Sequence, residues 1–140
     1  MPSFTTTIRV RYAETDQMGV AYYANYFVWC EVGRVELLRQ LGFEYKQMEI
    51  EHACHLPVVD ASCRYKSPAR YDEEIVIETR IAALRTSVIK FAYRLLCTRD
   101  GSPEPVLLAE AETVHVVVDR EMMKCPLPEP YFSVIRATMD

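Results

Sequence analysis

In the stretch AETDQMGVAYYANYF, residues 13–27, Asp16 stands three positions before Gly19 and ahead of an aromatic-rich run. Two roles are open to this carboxylate. Asp is common as a turn residue or helix cap. If a helix starts near Tyr22 or Tyr23, however, Asp16 is too far upstream to be its N-cap. It then belongs to a loop, held by Gly19 near the helix mouth. The N–H groups of a helix N-terminus bind oxyanions and carbonyl oxygens. A carboxylate beside such donors is the equipment of acyl chemistry. The N–H groups polarise a carbonyl, and the carboxylate attacks it or activates a water that does.

Other reactive side chains are less suggestive. The five cysteines are Cys30, Cys54, Cys63, Cys97 and Cys125. Their number is odd and none forms a C-x-x-C pair, so reduced thiols are expected in place of a disulfide framework or zinc site. Cys54 and His55 are adjacent, but sequence neighbours rarely form a catalytic dyad. His52, His55 and His115 match no zinc spacing, and no metal is expected. His115, on a strand, reads as structural. Tyr12, Tyr22, Tyr26 and Trp29 have two readings, as core or as the lining of an acyl pocket.

These residues need a scaffold, and 140 residues fit one domain. Half of the residues are hydrophobic, enough for a real core. A formal net charge of -4 gives no reason to expect nucleic-acid binding. No apolar run resembles a signal peptide or is long enough to span a membrane, so a soluble cytoplasmic protein is expected. Residues 4–12 alternate as a strand, and a helical pattern runs from about Tyr22 to Leu41, with Gly42 as its stop. Residues 43–55 read as irregular, with room for a short helical turn.

Four strands follow. VVDASCRYK puts Val59, Ala61, Cys63 and Tyr65 on one face, as in a half-buried strand. The next strands alternate through Ile75, Ile77, Thr79 and Ile81, then through Ile89, Phe91, Tyr93, Leu95 and Cys97. VLLAEAETVHVVVD is the last long strand. The tail after about residue 120 contains PLPEPY and is expected to be extended. One helix and about five strands joined by tight turns give an α+β fold, an antiparallel sheet with the helix across one face. An exposed edge strand would invite a second copy. On a helical wheel Phe27, Val28, Cys30, Val35, Leu38 and Leu41 share an apolar arc, with Glu31 and Arg34 in its middle. An intrahelical Glu31–Arg34 ion pair, a catalytic Glu31 and a helix rolled from this placement are all open.

The run RYAETDQMGVAYYANYFVWCEVGRVELLRQLG resembles the hot-dog-fold acyl-CoA thioesterases of the 4-hydroxybenzoyl-CoA thioesterase-like group, including those associated with the Tol-Pal cluster. The shared pattern is D-x-x-G-(V/I)-x-(Y/W)-(Y/H)-x-x-Y, carried here by Asp16, Gly19, Val20, Tyr22, Tyr23 and Tyr26. YKSPARYDEEIVIETRI, residues 65–81, is a second, weaker match. At position 23 Tol-Pal relatives usually have His and the hydroxybenzoyl type has Tyr, as here.

The resemblance implies a single hot-dog domain over residues 1–140, a curved sheet of about five strands around one long helix. It implies hydrolysis of an acyl-CoA thioester to free acid and CoA, with no metal or other cofactor. Asp16 would be nucleophile or general base, and the Tyr23 backbone N–H would bond the thioester oxygen. Gly19, Val20 and Tyr26 would contact substrate. Arg85, Thr86 and Ser87 match the family's Arg-x-Ser segment at the nucleotide end of CoA. Arg64, Lys66 and Arg70 form a second basic set. The family assembles as homodimers or tetramers with sites at the subunit interface. Two rival functions share this fold: an acyl-thioester hydratase or dehydratase, and a non-catalytic module that binds acyl-CoA or acyl-carrier protein.

Overall fold

The computed structural model describes residues 3–139. The strands are β1 (Phe4–Arg9), β2 (Val58–Tyr65), β3 (Glu74–Arg85), β4 (Val88–Cys97) and β5 (Val106–Val116). The helices are α1 (Asn25–Gln40), α2 (Tyr45–His52) and α3 (Tyr131–Ala137). The strands form one antiparallel sheet in the order β1-β3-β4-β5-β2. It is a curved sheet with α1 against one face, the expected hot-dog architecture.

Alternation decides which face is inside. Ile75, Ile77 and Ile81 on β3 and Ile89, Phe91, Tyr93 and Leu95 on β4 are buried on the inner face, the faces read from the sequence. Thr79 is buried in the same row, where α1 comes closest. A Cβ on Gly33 would collide with Thr79 Oγ1 and lie 2.8 Å from Ile77 Cγ2. Only a residue without a side chain lets the helix settle this deeply on the sheet.

That close approach corrects the helical wheel. α1 buries Tyr26, Trp29, Cys30, Gly33, Leu37 and Leu38, while Val28 is 49% exposed. The helix is rolled about Gly33, away from the arc centred on Glu31 and Arg34. Glu31 faces solvent and Arg34 is half-buried. The ion pair on α1 joins Arg39 to Glu36 at 3.4 Å, and Arg34 lies beside the buried Tyr93 hydroxyl.

Two further expectations change. β2 is an edge strand paired with β5, and it is exposed except at the half-buried Cys63. α1 meets it at the Tyr65 end, where the Tyr26 and Tyr65 rings pack edge to face with centroids 4.9 Å apart, and the side of β2 around Val59 is left uncovered. The tail stays irregular through PLPEP and then forms α3, which buries Tyr131 and Ile135 one helical turn apart.

A polar chain crosses the interior. The neutral His115 ring donates from Nδ1 to the Leu56 carbonyl at 2.8 Å and accepts at Nε2 from the Thr113 hydroxyl at 2.8 Å. Thr113 in turn bonds the Tyr93 hydroxyl at 2.7 Å. Burial pushes the His115 imidazole down to about 4. This agrees with its structural reading.

Candidate active site

The Asp16 loop is a tight hairpin. Thr15 and Ala21 face each other as an isolated antiparallel bridge. Asp16 N–H donates to the Val20 carbonyl at 2.9 Å, and Gly19 N–H donates back to the Asp16 carbonyl at 3.0 Å. Gly19 sits at φ +83°. This is a type I turn closed by a left-handed glycine. At the turn's first position, Asp16 Oδ1 accepts the Met18 N–H at 2.8 Å. Asp16 is thus a turn residue, as Asp often is. One carboxylate oxygen orients the side chain, and among the described residues nothing donates to Oδ2.

The other half of the site is the start of α1. The helix begins at Asn25, three residues later than the pattern suggested, so Tyr23 lies in the turn that leads into it. Asn25 N–H donates to the Tyr22 carbonyl at 2.9 Å, and Tyr26 N–H donates to the Tyr23 carbonyl at 3.3 Å. The Tyr65 hydroxyl of β2 donates to the same Tyr23 carbonyl at 3.0 Å. Among the described residues nothing accepts the N–H of Tyr23 or Ala24. These are the orphan donors of a helix entrance.

The aromatic residues divide. Tyr26 and Trp29 are buried, with ring centroids 4.9 Å apart. The Tyr26 hydroxyl accepts the Ala69 N–H at 3.1 Å, which ties α1 to the loop before β3. Tyr12, Tyr22 and Tyr23 are exposed. Tyr23 and Tyr65 meet edge to face at 6.3 Å. Val20, half-buried, bridges to Arg70, which brings Arg70 of the second basic set beside the hairpin. The loop around it is fastened by Arg99, whose guanidinium bonds Glu73 Oε2 at 2.8 Å and Oε1 at 3.0 Å. The Arg99 bonds hold the Glu73 carboxyl below its usual range.

Arg85, Thr86 and Ser87 lie elsewhere. They form the turn between β3 and β4, whereas the Asp16 hairpin sits beside the start of β3. The twelve residues of β3 span roughly 36 Å at about 3.3 Å each. The single chain therefore does not bring Arg85 to Asp16. Ser87 is buried, and its carbonyl accepts the Val117 N–H at 2.9 Å. Arg64 and Lys66 are exposed on and just after the edge strand. A cavity of ≈ 490 Å³ lies on the far face of the sheet, lined by Arg64, Glu78, Arg80, Arg94 and Glu112 among others. It does not include the hairpin, whose tip at Met18 and Gly19 is open to solvent.

The Cys54–His55 neighbours do not form a dyad. His55 Nδ1 meets Glu49 Oε2 at 2.9 Å. Burial pushes the Cys54 thiol up to about 11, with Cys125 and Glu49 adding to the rise. A thiol held protonated at neutral pH is a poor nucleophile.

Sequence reasoning passed over Glu14. Its side chain is buried, accepting the Arg11 N–H at Oε1 at 2.8 Å and the Trp29 indole N–H at Oε2 at 2.9 Å. Burial pushes its carboxyl up, but the Arg11 N–H, the Trp29 indole and the Arg11 charge outweigh that, and the net shift is downward. The only sign in the sequence was a second acid two residues before Asp16.

Residues 10–134 match the model of the thioesterase-like superfamily. The chain belongs to this superfamily. Among relatives, a Bacillus subtilis (strain 168) protein named as a candidate acyl-CoA thioesterase, YneP, is 42% identical, with 84% of this chain and 80% of that one covered. The acyl-CoA thioester hydrolase YbgC of Escherichia coli O157:H7 is 34% identical, with 86% of each chain covered. Among solved structures, a DHNA-CoA thioesterase from Staphylococcus aureus superposes with a TM-score of 0.85 at 28% identity, covering 99% of this chain and 89% of that one. The 4-hydroxybenzoyl-CoA thioesterase of Pseudomonas sp. strain CBS-3 has a TM-score of 0.84 at 23% identity, covering 94% and 98%. At that identity the likeness carries the hot-dog fold alone. The superfamily match spans the Asp16 hairpin, all of α1 and the Arg85 turn.

Proposed function

We propose that this superfamily member hydrolyses an acyl-CoA thioester to free acid and CoA, with Asp16 and the Tyr23 N–H acting on the thioester carbonyl. One observation carries this reading. A carboxylate oriented through one oxygen precedes a helix entrance where, among the described residues, the N–H groups of Tyr23 and Ala24 have no acceptor. The thioester oxygen takes a hydrogen bond from Tyr23 N–H, which grows stronger as negative charge develops there. Asp16 Oδ2 either attacks the carbonyl carbon, forming an acyl-enzyme anhydride that water then opens, or takes a proton from a water that attacks directly. In both routes the C–S bond breaks and CoA leaves as the thiolate. The names of the relatives support the acyl-CoA substrate.

A second copy completes the site in this reading. Within one chain the Arg-Thr-Ser turn lies far from Asp16, and β2 is left as an uncovered edge with Val59 59% exposed. Pairing of β2 with β2 of another copy would cover that edge. It would also let basic side chains from two chains serve one CoA phosphate group. Gly19 and Val20 then frame the acyl end, and the exposed Tyr22 and Tyr23 rings border it.

Release of free CoA, followed with a thiol reagent, tests the reaction. The panel should contain short aliphatic, long aliphatic and aromatic acyl-CoA. Turnover with one thiol released per acid formed is expected. Tight binding of every acyl-CoA without thiol release would contradict hydrolysis, as would water addition to an unsaturated acyl chain with the thioester intact.

A further inference from the structure

We infer that Glu14 is the positioning residue of this site, a buried carboxylate that sets the Asp16 hairpin in register with the entrance of α1. The inference rests on the Asp16 and Tyr23 reading above. Every polar atom of Glu14 is used. Its N–H donates to the Arg11 carbonyl at 2.9 Å. Its carbonyl accepts the Tyr22 N–H at 2.8 Å and the Asn25 side-chain N–H at 2.8 Å. Its carboxylate accepts the Arg11 backbone N–H and the Trp29 indole, with the Arg11 guanidinium at 3.5 Å from Oε2.

The partners make this a positioning role. Tyr22 immediately precedes Tyr23, the proposed donor. Asn25 is the first residue of α1, and Trp29 lies one turn further along the same helix. Glu14 itself is two residues before Asp16. One residue therefore grips the hairpin's outgoing strand, the first residue of the helix and the helix core. Catalysis needs the carboxylate and the N–H group in a fixed relation, and a small displacement of either is costly.

The chemistry of the grip also favours an acid. Glu14 is 5% exposed and Trp29 2%. A lone buried charge is expensive unless it is satisfied by hydrogen bonds. An ionised carboxylate can accept from two N–H groups at once and form strong bonds to both. An amide cannot, because its NH₂ group would face one of those N–H donors. Glu14→Gln keeps the shape and removes one acceptor.

Trp29 is the only tryptophan in the chain, so its indole N–H gives a single resonance that reports the Glu14 bond directly. The test compares wild type, Glu14→Gln, Asn25→Ala and Asp16→Asn by ¹H–¹⁵N spectra, thermal melting, and kcat and KM on the best acyl-CoA. Glu14→Gln is expected to shift the indole resonance upfield. Its kcat should fall about 10- to 100-fold with KM within about twofold. Asn25→Ala, which leaves the carboxylate in place, should keep the indole resonance and lose about 2- to 10-fold in kcat. It also decides the matter if Glu14→Gln does not fold.

A folded Glu14→Gln with an unmoved indole resonance overturns the inference, as does wild-type kcat in Glu14→Gln or Asn25→Ala. If Asp16→Asn is inactive in the same assay, such a result removes the role of Glu14 alone. A fully active Asp16→Asn removes the catalytic reading, and the positioning role with it.

Discussion

At the scale of single residues, the proposed reaction gives Asp16 two jobs that the sequence presented as alternatives. Its Oδ1 holds the turn through the Met18 N–H, and its Oδ2 is the atom proposed to act on the thioester. The Asp16–Gly19 loop was legible because a tight turn needs particular residue types at short spacing, while the pattern onward to Tyr26 stood out through the family resemblance. Glu14 was not legible, because its meaning depends on Trp29, a full helical turn into the next element. Gly19 offers a clean test of the turn. It has open space around a would-be Cβ, so Gly19→Ala meets only backbone strain at φ +83°. The expected loss is about 1–2 kcal/mol of stability, read from denaturant midpoints. A fall in kcat should accompany it as Asp16 shifts.

At the scale of elements, the inward faces of β3 and β4 followed from strict alternation, which few packings other than one covered face would demand. The roll of α1 did not follow, because counting apolar residues gave no weight to Gly33. Its missing side chain decides which face meets the sheet. Gly33→Ala should destabilise the fold by about 1–3 kcal/mol through overpacking against Thr79 and Ile77, measured as a lower melting temperature. α3 was hidden by the prolines before it, although Tyr131 and Ile135 carried a one-turn apolar spacing.

The interior His115 makes the same scale pH-dependent. Its folded value of about 4 lies below the value near 6.5 of an unfolded chain. Between those values the unfolded state binds more protons, so stability is fully present above about pH 6.5 and is lost as pH falls toward 4. The loss from this one group is about 3 kcal/mol over that window. Denaturant midpoints at pH 7 and pH 4.5 should differ less in His115→Gln than in wild type, because the titrating group is gone. An equal difference would show that other groups govern acid sensitivity.

At the scale of the whole molecule, β2 shows where a single sequence misleads. Val59, Ala61, Cys63 and Tyr65 alternate as a half-buried strand should, but one chain leaves them mostly exposed. Alternation records that a face is meant to be covered, not which chain covers it. The proposed assembly predicts that Val59→Asp weakens self-association by at least tenfold in Kd, measured by sedimentation at several concentrations. The folded monomer should lose thioesterase activity in proportion, because Arg85 can then reach no Asp16. A monomeric wild-type protein with full activity would contradict this.

The central claim is that Asp16 performs the hydrolysis. Asp16→Asn preserves the shape of the side chain and an oxygen to accept the Met18 N–H, so the turn should form and the protein should fold. Its kcat for acyl-CoA hydrolysis, measured by thiol release on protein whose melting temperature matches wild type, should drop by about 10²- to 10⁴-fold. A folded Asp16→Asn that releases CoA at the wild-type rate would contradict the account.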